Sequence, residues 1–124
     1  MYGMEEVLAS HPDVAECAVV GVADATKGEV PLGLIVLKAG VQRGPAEIVA
    51  ELIQAVRERI GPVASFKVAT VVQRLPKTRS GKILRGTIKS IADGAEYRVP
   101  PTIDDPVILE EIAADLAALG YPQT

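Results

Sequence analysis

The sequence predicts a small α+β domain: a mixed sheet of about three strands, including an antiparallel hairpin, packed with helices. Three features point to it. Two strand-length apolar runs, 14–22 and 30–37, lie close together around a polar turn. Segments 45–60 and 106–119 repeat apolar residues at helical spacing, and each opens on a proline. The 124 residues are 48% hydrophobic, which suits one core rather than two large ones.

Each element has its own reason. Residues 4–10 read as the remnant of an amphipathic helix with Met4, Val7 and Leu8 on one side, broken by His11-Pro12-Asp13. Opening almost on a helix raises the expectation of an upstream part. Val14, Cys17, Val19, Val20 and Val22 supply the first strand with imperfect alternation, and Asp24, Lys27 and Gly28 suit an exposed turn. Residues 30–37 are the second strand. Pro45 fits the first turn of the next helix, whose predicted apolar stripe is Val49, Leu52, Ile53, Val56 and Ile60. Gly61-Pro62 stops it, and 68–72 is the next strand. Segment 83–92 is expected to be helical with Leu84, Ile88 and Ile91 inward, ending at Gly94. The proline-rich stretch 97–105 is expected to cross the surface. The last helix, 106–119, would bury Ile108, Ile112, Leu116 and Leu119, with Asp105 as its cap and Gly120 as its end.

Composition removes several function classes. Thirteen Lys+Arg against sixteen Asp+Glu give a net charge of −3, so nothing global favours nucleic acid. Cys17 is the single cysteine, which excludes an internal disulfide and a four-cysteine metal site. It reads as a reduced core thiol. His11 has no metal-ligand neighbourhood and reads as a turn residue, so no bound metal is expected. Phe66 and Tyr97 read as packing groups. No apolar run is long enough for a membrane span, and the start lacks a signal-peptide pattern, so a soluble intracellular chain is expected.

Chemistry concentrates in 75–82. Lys77, Arg79 and Lys82 place three positive charges within six residues, Gly81 permits close backbone approach, and Thr78 or Ser80 can donate a hydroxyl. A helix starting here would aim its first amides at an anion. These ingredients suit phosphate recognition or a negatively charged transition state. Lys82 near a helix start opposes the helix dipole, a conflict that an external anion would relieve. The competing reading is a solvated basic loop. A P-loop is excluded, because GxxxxGK[ST] is absent and Ile83 follows the lysine.

The segment LPKTRSGKILR resembles the C-terminal catalytic loop of the adenylate-forming acyl-CoA synthetases. The resemblance runs from MEEVLASHPDVAECAVVGVAD through GLIVLKAG to VRERIGPVASFKVATVVQRLPKTRSGKILR, about residues 4–92. The tail IADGAEYRVPPTIDDPVILEEI resembles the propionate-activating short-chain branch, close to acetyl-CoA synthetases. The resemblance implies that 1–124 is a mobile C-terminal catalytic domain, with 95–124 as its surface-crossing tail and final helix. The whole enzyme would convert a short-chain carboxylate and ATP to acyl-AMP and pyrophosphate, then pass the acyl group to CoA. A missing N-terminal domain would bind most of the ATP with its Mg2+ and the acyl group. The fragment alone would not complete the reaction.

By the same resemblance Lys82 is the adenylation lysine, with Arg79, Ser80 and Gly81 supporting its loop. Arg57 would hold a CoA phosphate, and Lys27 and Gly28 would flank the pantetheine arm. Lys82 is also the expected target of an acetyltransferase and deacetylase, since acetylation would remove its charge. A bacterial cytoplasm is expected, with the mitochondrial matrix as the other location. The alternatives are another acyl- or aryl-CoA ligase domain, and a CoA- or phosphate-binding regulatory module.

Overall fold

The computed structural model describes residues 2–26, 28–61 and 66–122. Its elements are α1 (Tyr2–Ala9), β1 (Val14–Asp24), β2 (Gly28–Leu37), α2 (Pro45–Arg59), β3 (Val68–Val71), α3 (Arg85–Asp93) and α4 (Ile108–Ala118). The sheet order is β1-β2-β3, with β1 antiparallel to β2 and β2 parallel to β3. The predicted small mixed sheet with its hairpin is therefore the observed one.

Both faces of the sheet are covered, and this explains the imperfect alternation of β1. Ala18, Val20 and Val22 join Leu32 and Leu34 in one core with Ile88, Ile91, Ile112 and Leu116 of α3 and α4. Cys17, Val19 and Ile35 turn the other way, toward Met4, Val7 and Leu8 of α1, Ile48, Leu52 and Val56 of α2, and Phe66. A shift of register between Val14 and Glu16 marks a bulge in β1.

β1 is an edge strand, and side chains take up its outer polar groups. Glu5 Oε2 accepts the Val19 N–H (2.8 Å), Asp93 Oδ1 accepts the Ala23 N–H (2.7 Å), and Lys89 Nζ donates to the Gly21 carbonyl (2.6 Å). α3 is thereby fastened along the edge that α1 also reaches.

Several expectations need correction. The buried stripe of α2 is Ile48, Leu52 and Val56; Val49 is only half-buried and Ile60 is exposed. The residues that α2 turns toward α1 and the sheet recur at four-residue spacing and form one narrow row. α4 begins at Ile108, buries Leu109 and leaves Leu119 exposed. Asp105 is not its cap: its Oδ1 accepts the Val107 N–H (3.1 Å) in a turn before the helix. α3 begins at Arg85, with Leu84 outside it. Tyr97 is exposed rather than packed, and Ile103, within the predicted surface-crossing stretch, is buried. His11 does close a turn, since its Nδ1 accepts the Asp13 N–H (3.1 Å), and its Nε2 also meets Glu51 Oε1 (2.8 Å). Gly94 ends α3 at φ +71°, as the left-handed helix end requires.

Candidate functional site

The basic loop is a tight hairpin. The Thr78 N–H donates to the Lys82 carbonyl (2.9 Å) and the Leu84 N–H to the Pro76 carbonyl (2.9 Å), with Lys77 bridging Ile83. Its tip closes through the Gly81 N–H on the Thr78 carbonyl (2.9 Å), and Gly81 sits at φ +93°, where a side chain would be strained. Thr78 Oγ1 accepts the Lys82 N–H (3.1 Å) and pairs with Ser80 Oγ (2.9 Å). The Thr78 hydroxyl thus builds the loop rather than standing ready for a ligand.

The three cations of the loop are not equivalent. Lys77 forms an ion pair with Glu16 of β1. Lys82 and Arg79 are exposed, and among the described residues neither side chain has a hydrogen-bond or ion-pair partner. The Lys82 backbone is held by Thr78 while its ammonium stays open to solvent. Lys82 also lies before the helix, because α3 starts at Arg85. The cation at the helix start is therefore Arg85, and Glu5 neutralises it through bonds of 2.9 and 2.5 Å. Burial pushes the Glu5 carboxyl up, yet hydrogen bonds from Arg85 and the Val19 N–H outweigh that and hold it below the usual carboxylate range.

The other predicted residues stand elsewhere. Gly28 pairs with Asp24 at the opposite end of the β1–β2 hairpin, at φ +85°, with open space where a side chain would begin. That φ asks for glycine whatever the site does. Lys27 lies outside the described residues. The hairpin's anchor Glu16 and the turn's Asp24 are about 26 Å apart along β1 at roughly 3.3 Å per residue. Arg57 is exposed near the end of α2, on the sheet face opposite α3 and α4. The fold therefore does not gather Lys82, Arg57 and Gly28 into one pocket. It sets a lysine hairpin at one end, a glycine turn at the other, and an arginine on the far layer.

Sequence reasoning missed Glu5, Glu16 and Arg85. Their charges were visible, but not their partners across the fold. Among the described residues no group of three or more His, Cys, Asp or Glu side chains could hold a metal ion. No described helix is long and apolar enough to cross a membrane.

Residues 3–82 match the family model for the AMP-binding enzyme C-terminal domain. The chain is 54% identical over 109 residues to an acyl-CoA synthetase short-chain family member B, mitochondrial, of Dictyostelium discoideum, covering 88% of this chain and 16% of that one. It is 49% identical over 110 residues to an acetyl-coenzyme A synthetase of Pyrobaculum aerophilum, covering 89% and 16%. Among solved structures it resembles an acyl-CoA synthetase of Brucella canis with a TM-score of 0.66 and 35% identity, covering 72% of this chain and 16% of that chain. This chain belongs to the AMP-binding enzyme C-terminal domain family of the acyl-CoA synthetase superfamily.

Proposed function

We propose that the chain serves as the C-terminal domain of an adenylate-forming acyl- or aryl-CoA ligase, and that within this class its acid is short-chain, propionate first. The observation that carries the reading is the exposed Lys82 ammonium, unpartnered among the described residues, on a hairpin braced by backbone hydrogen bonds. A compact cation so held suits the charge that develops as a carboxylate oxygen attacks the α-phosphate of ATP. The carbon–oxygen–phosphorus link forms as the bond to pyrophosphate breaks, and Lys82 supplies charge and position without taking a proton or a covalent bond. CoA thiol then attacks the acyl carbonyl and AMP leaves.

The separation of Lys82 from Gly28 supports a two-step use of the domain. Glu16, which anchors the lysine hairpin through Lys77, and Asp24, which pairs with Gly28, are about 26 Å apart along β1, too far for both ends to attend one reacting carbonyl together. Reorientation between the half-reactions would present each in turn to a preceding domain. Gly28 and Lys27 would then line the pantetheine path, and Arg57 would hold a CoA phosphate with its fork of donors. ATP-bound Mg2+ would rest with the preceding domain. Propionate is favoured by the tail resemblance; the relatives named above include a short-chain family member and an acetyl-coenzyme A synthetase. Lys82, exposed, is also open to acetylation, which would remove the charge the adenylation step uses. A bacterial cytoplasm or a mitochondrial matrix would supply these substrates.

The test joins the chain to its preceding domain and compares the parent with Lys82→Ala. Propionate-dependent ATP–pyrophosphate exchange should fall by about a hundredfold or more, while thioester formation from supplied propionyl-AMP and CoA persists. Arg57→Ala should raise the KM for CoA and spare exchange. Equal loss of both half-reactions in Lys82→Ala, or unchanged exchange, overturns the assignment. Exchange driven better by acetate or an aryl acid keeps the class and replaces propionate.

A further inference from the structure

The stretch between α3 and α4 does more than connect them. Residues 102–104 run antiparallel beside the Lys82 hairpin, with Thr78 bridging Ile103. The Arg79 N–H donates to the Thr102 carbonyl (2.9 Å), and the Asp104 N–H to the Lys77 carbonyl (2.9 Å). Ile103 is 5% exposed and sits in the core that holds Ile88 and Ile112. Arg74, just before the hairpin, clamps the far end. Its Nη1 donates to Asp105 Oδ2 (2.9 Å), while Nη2 and Nε donate to the Glu111 carboxylate (2.8 and 3.2 Å). The hairpin is thus the centre and one edge of a three-stranded patch whose other edge is this segment. The family match ends at Lys82, so the segment lies beyond the matched region.

A two-stranded hairpin alone is marginal in water. Lys82 has no side-chain partner among the described residues, so the hairpin backbone fixes where its flexible stem starts and no other described residue of the domain holds it. We propose that residues 102–105 form a strap that positions Lys82: Ile103 anchors the strap in the core, and its backbone hydrogen bonds set the angle at which the hairpin presents the lysine. Ile103 and Asp104 are positioning residues for the adenylation half-reaction and touch no substrate. The strap's catalytic role rests on the acyl-adenylate reading above. Thioester formation, assigned there to the Gly28 end of the sheet, does not need the strap.

The experiment uses the full-length protein with Ile103→Ala, Ile103→Val and Asp104→Pro, the last deleting the N–H that bonds Lys77. Ile103→Ala and Asp104→Pro should lower kcat for propionate-dependent ATP–pyrophosphate exchange by about tenfold or more, since small misplacements at a reacting centre cost that much. KM for ATP and thioester formation from supplied propionyl-AMP and CoA should stay within about twofold. Retained thioester formation also certifies that the domain is folded. Ile103→Val should restore exchange. Equal loss of both half-reactions would make the tail a general structural support and overturn the proposal, as would full exchange in both disruptive variants. Absence of exchange in the unsubstituted enzyme with any carboxylic acid would refute the acyl-adenylate reading and the strap's catalytic role with it. The strap itself has a separate readout in the same protein: the Arg79 and Asp104 amides should exchange hydrogen slowly, and exchange as fast as open loop amides would overturn it whatever the activity.

Discussion

Removing the Glu5 carboxylate should loosen three elements at once. Glu5 on α1 accepts the edge N–H of Val19 in β1 at 2.8 Å and two bonds from Arg85 at the start of α3. The side chains are 28% and 45% exposed, so solvent screens the pair. A hydrogen bond to a charged group is worth about 1.5–3 kcal/mol when sheltered, and an exposed ion pair about 0–1 kcal/mol. Between these limits Glu5→Gln, which keeps an acceptor for Val19, should cost about 1 kcal/mol. Glu5→Ala also strands the Val19 N–H and should cost about 2 kcal/mol. At about 4 °C per kcal/mol for a domain of this size, Tm falls by about 4 and 8 °C.

The pH dependence has a definite sign. The folded carboxyl lies below its ordinary value of 4.5, so its contribution is fully present above that value and fades as pH falls through the folded one. Thermal denaturation of the parent, Glu5→Gln, Arg85→Ala and the double variant, from pH 7 down toward about 3, gives both the coupling and its titration. A coupling energy below about 0.3 kcal/mol at pH 7, or a Glu5→Gln penalty that does not shrink in acid, refutes the reasoning.

Gly33→Ala should destabilise by about 1–3 kcal/mol, because the added carbon would stand 2.8 Å from the Phe66 ring; a denaturation midpoint equal to the parent's would count against that packing. Hydrogen bonds from Arg43 and then His11 hold the Glu51 carboxyl at about 2, so its carbon-13 titration should have its midpoint there and return toward 4.5 in Arg43→Ala. The stability this pair contributes should be complete above pH 4.5 and vanish as pH falls through about 2. Burial, aided by the Glu5 charge, pushes the Cys17 thiol up to about 11, so a thiol reagent at neutral pH should modify Cys17 only as fast as the chain opens. Rapid labelling of native protein would show that the layer between α1 and β1 is open.

What was legible in the sequence is what local spacing encodes. The strand runs around Asp24–Gly28, the extent of α2 from Pro45 and the glycine that stops α3 all act within a few residues, and each stands where expected, whereas the buried row of α2 does not. The cation-rich loop was legible for the same reason, since eight consecutive residues carry its charges, hydroxyls and glycine. Ile103 shows the opposite case. Set among prolines and aspartates, it looked like part of a surface crossing, though a lone isoleucine in a polar run was the available signal.

The sequence by itself determined the α+β elements and the chemistry available in 75–82, because both depend on residues near one another in the chain. Only the tertiary structure decided which cations remain free. Glu16 and Glu5, distant in sequence, neutralise Lys77 and Arg85 and leave Lys82 and Arg79 exposed. It also decided that Lys82 and Gly28 stand at opposite ends of the sheet and that residues 102–104 close the lysine hairpin. Those outcomes follow from strand register and the burial of Ile103, long-range contacts that local propensity does not specify.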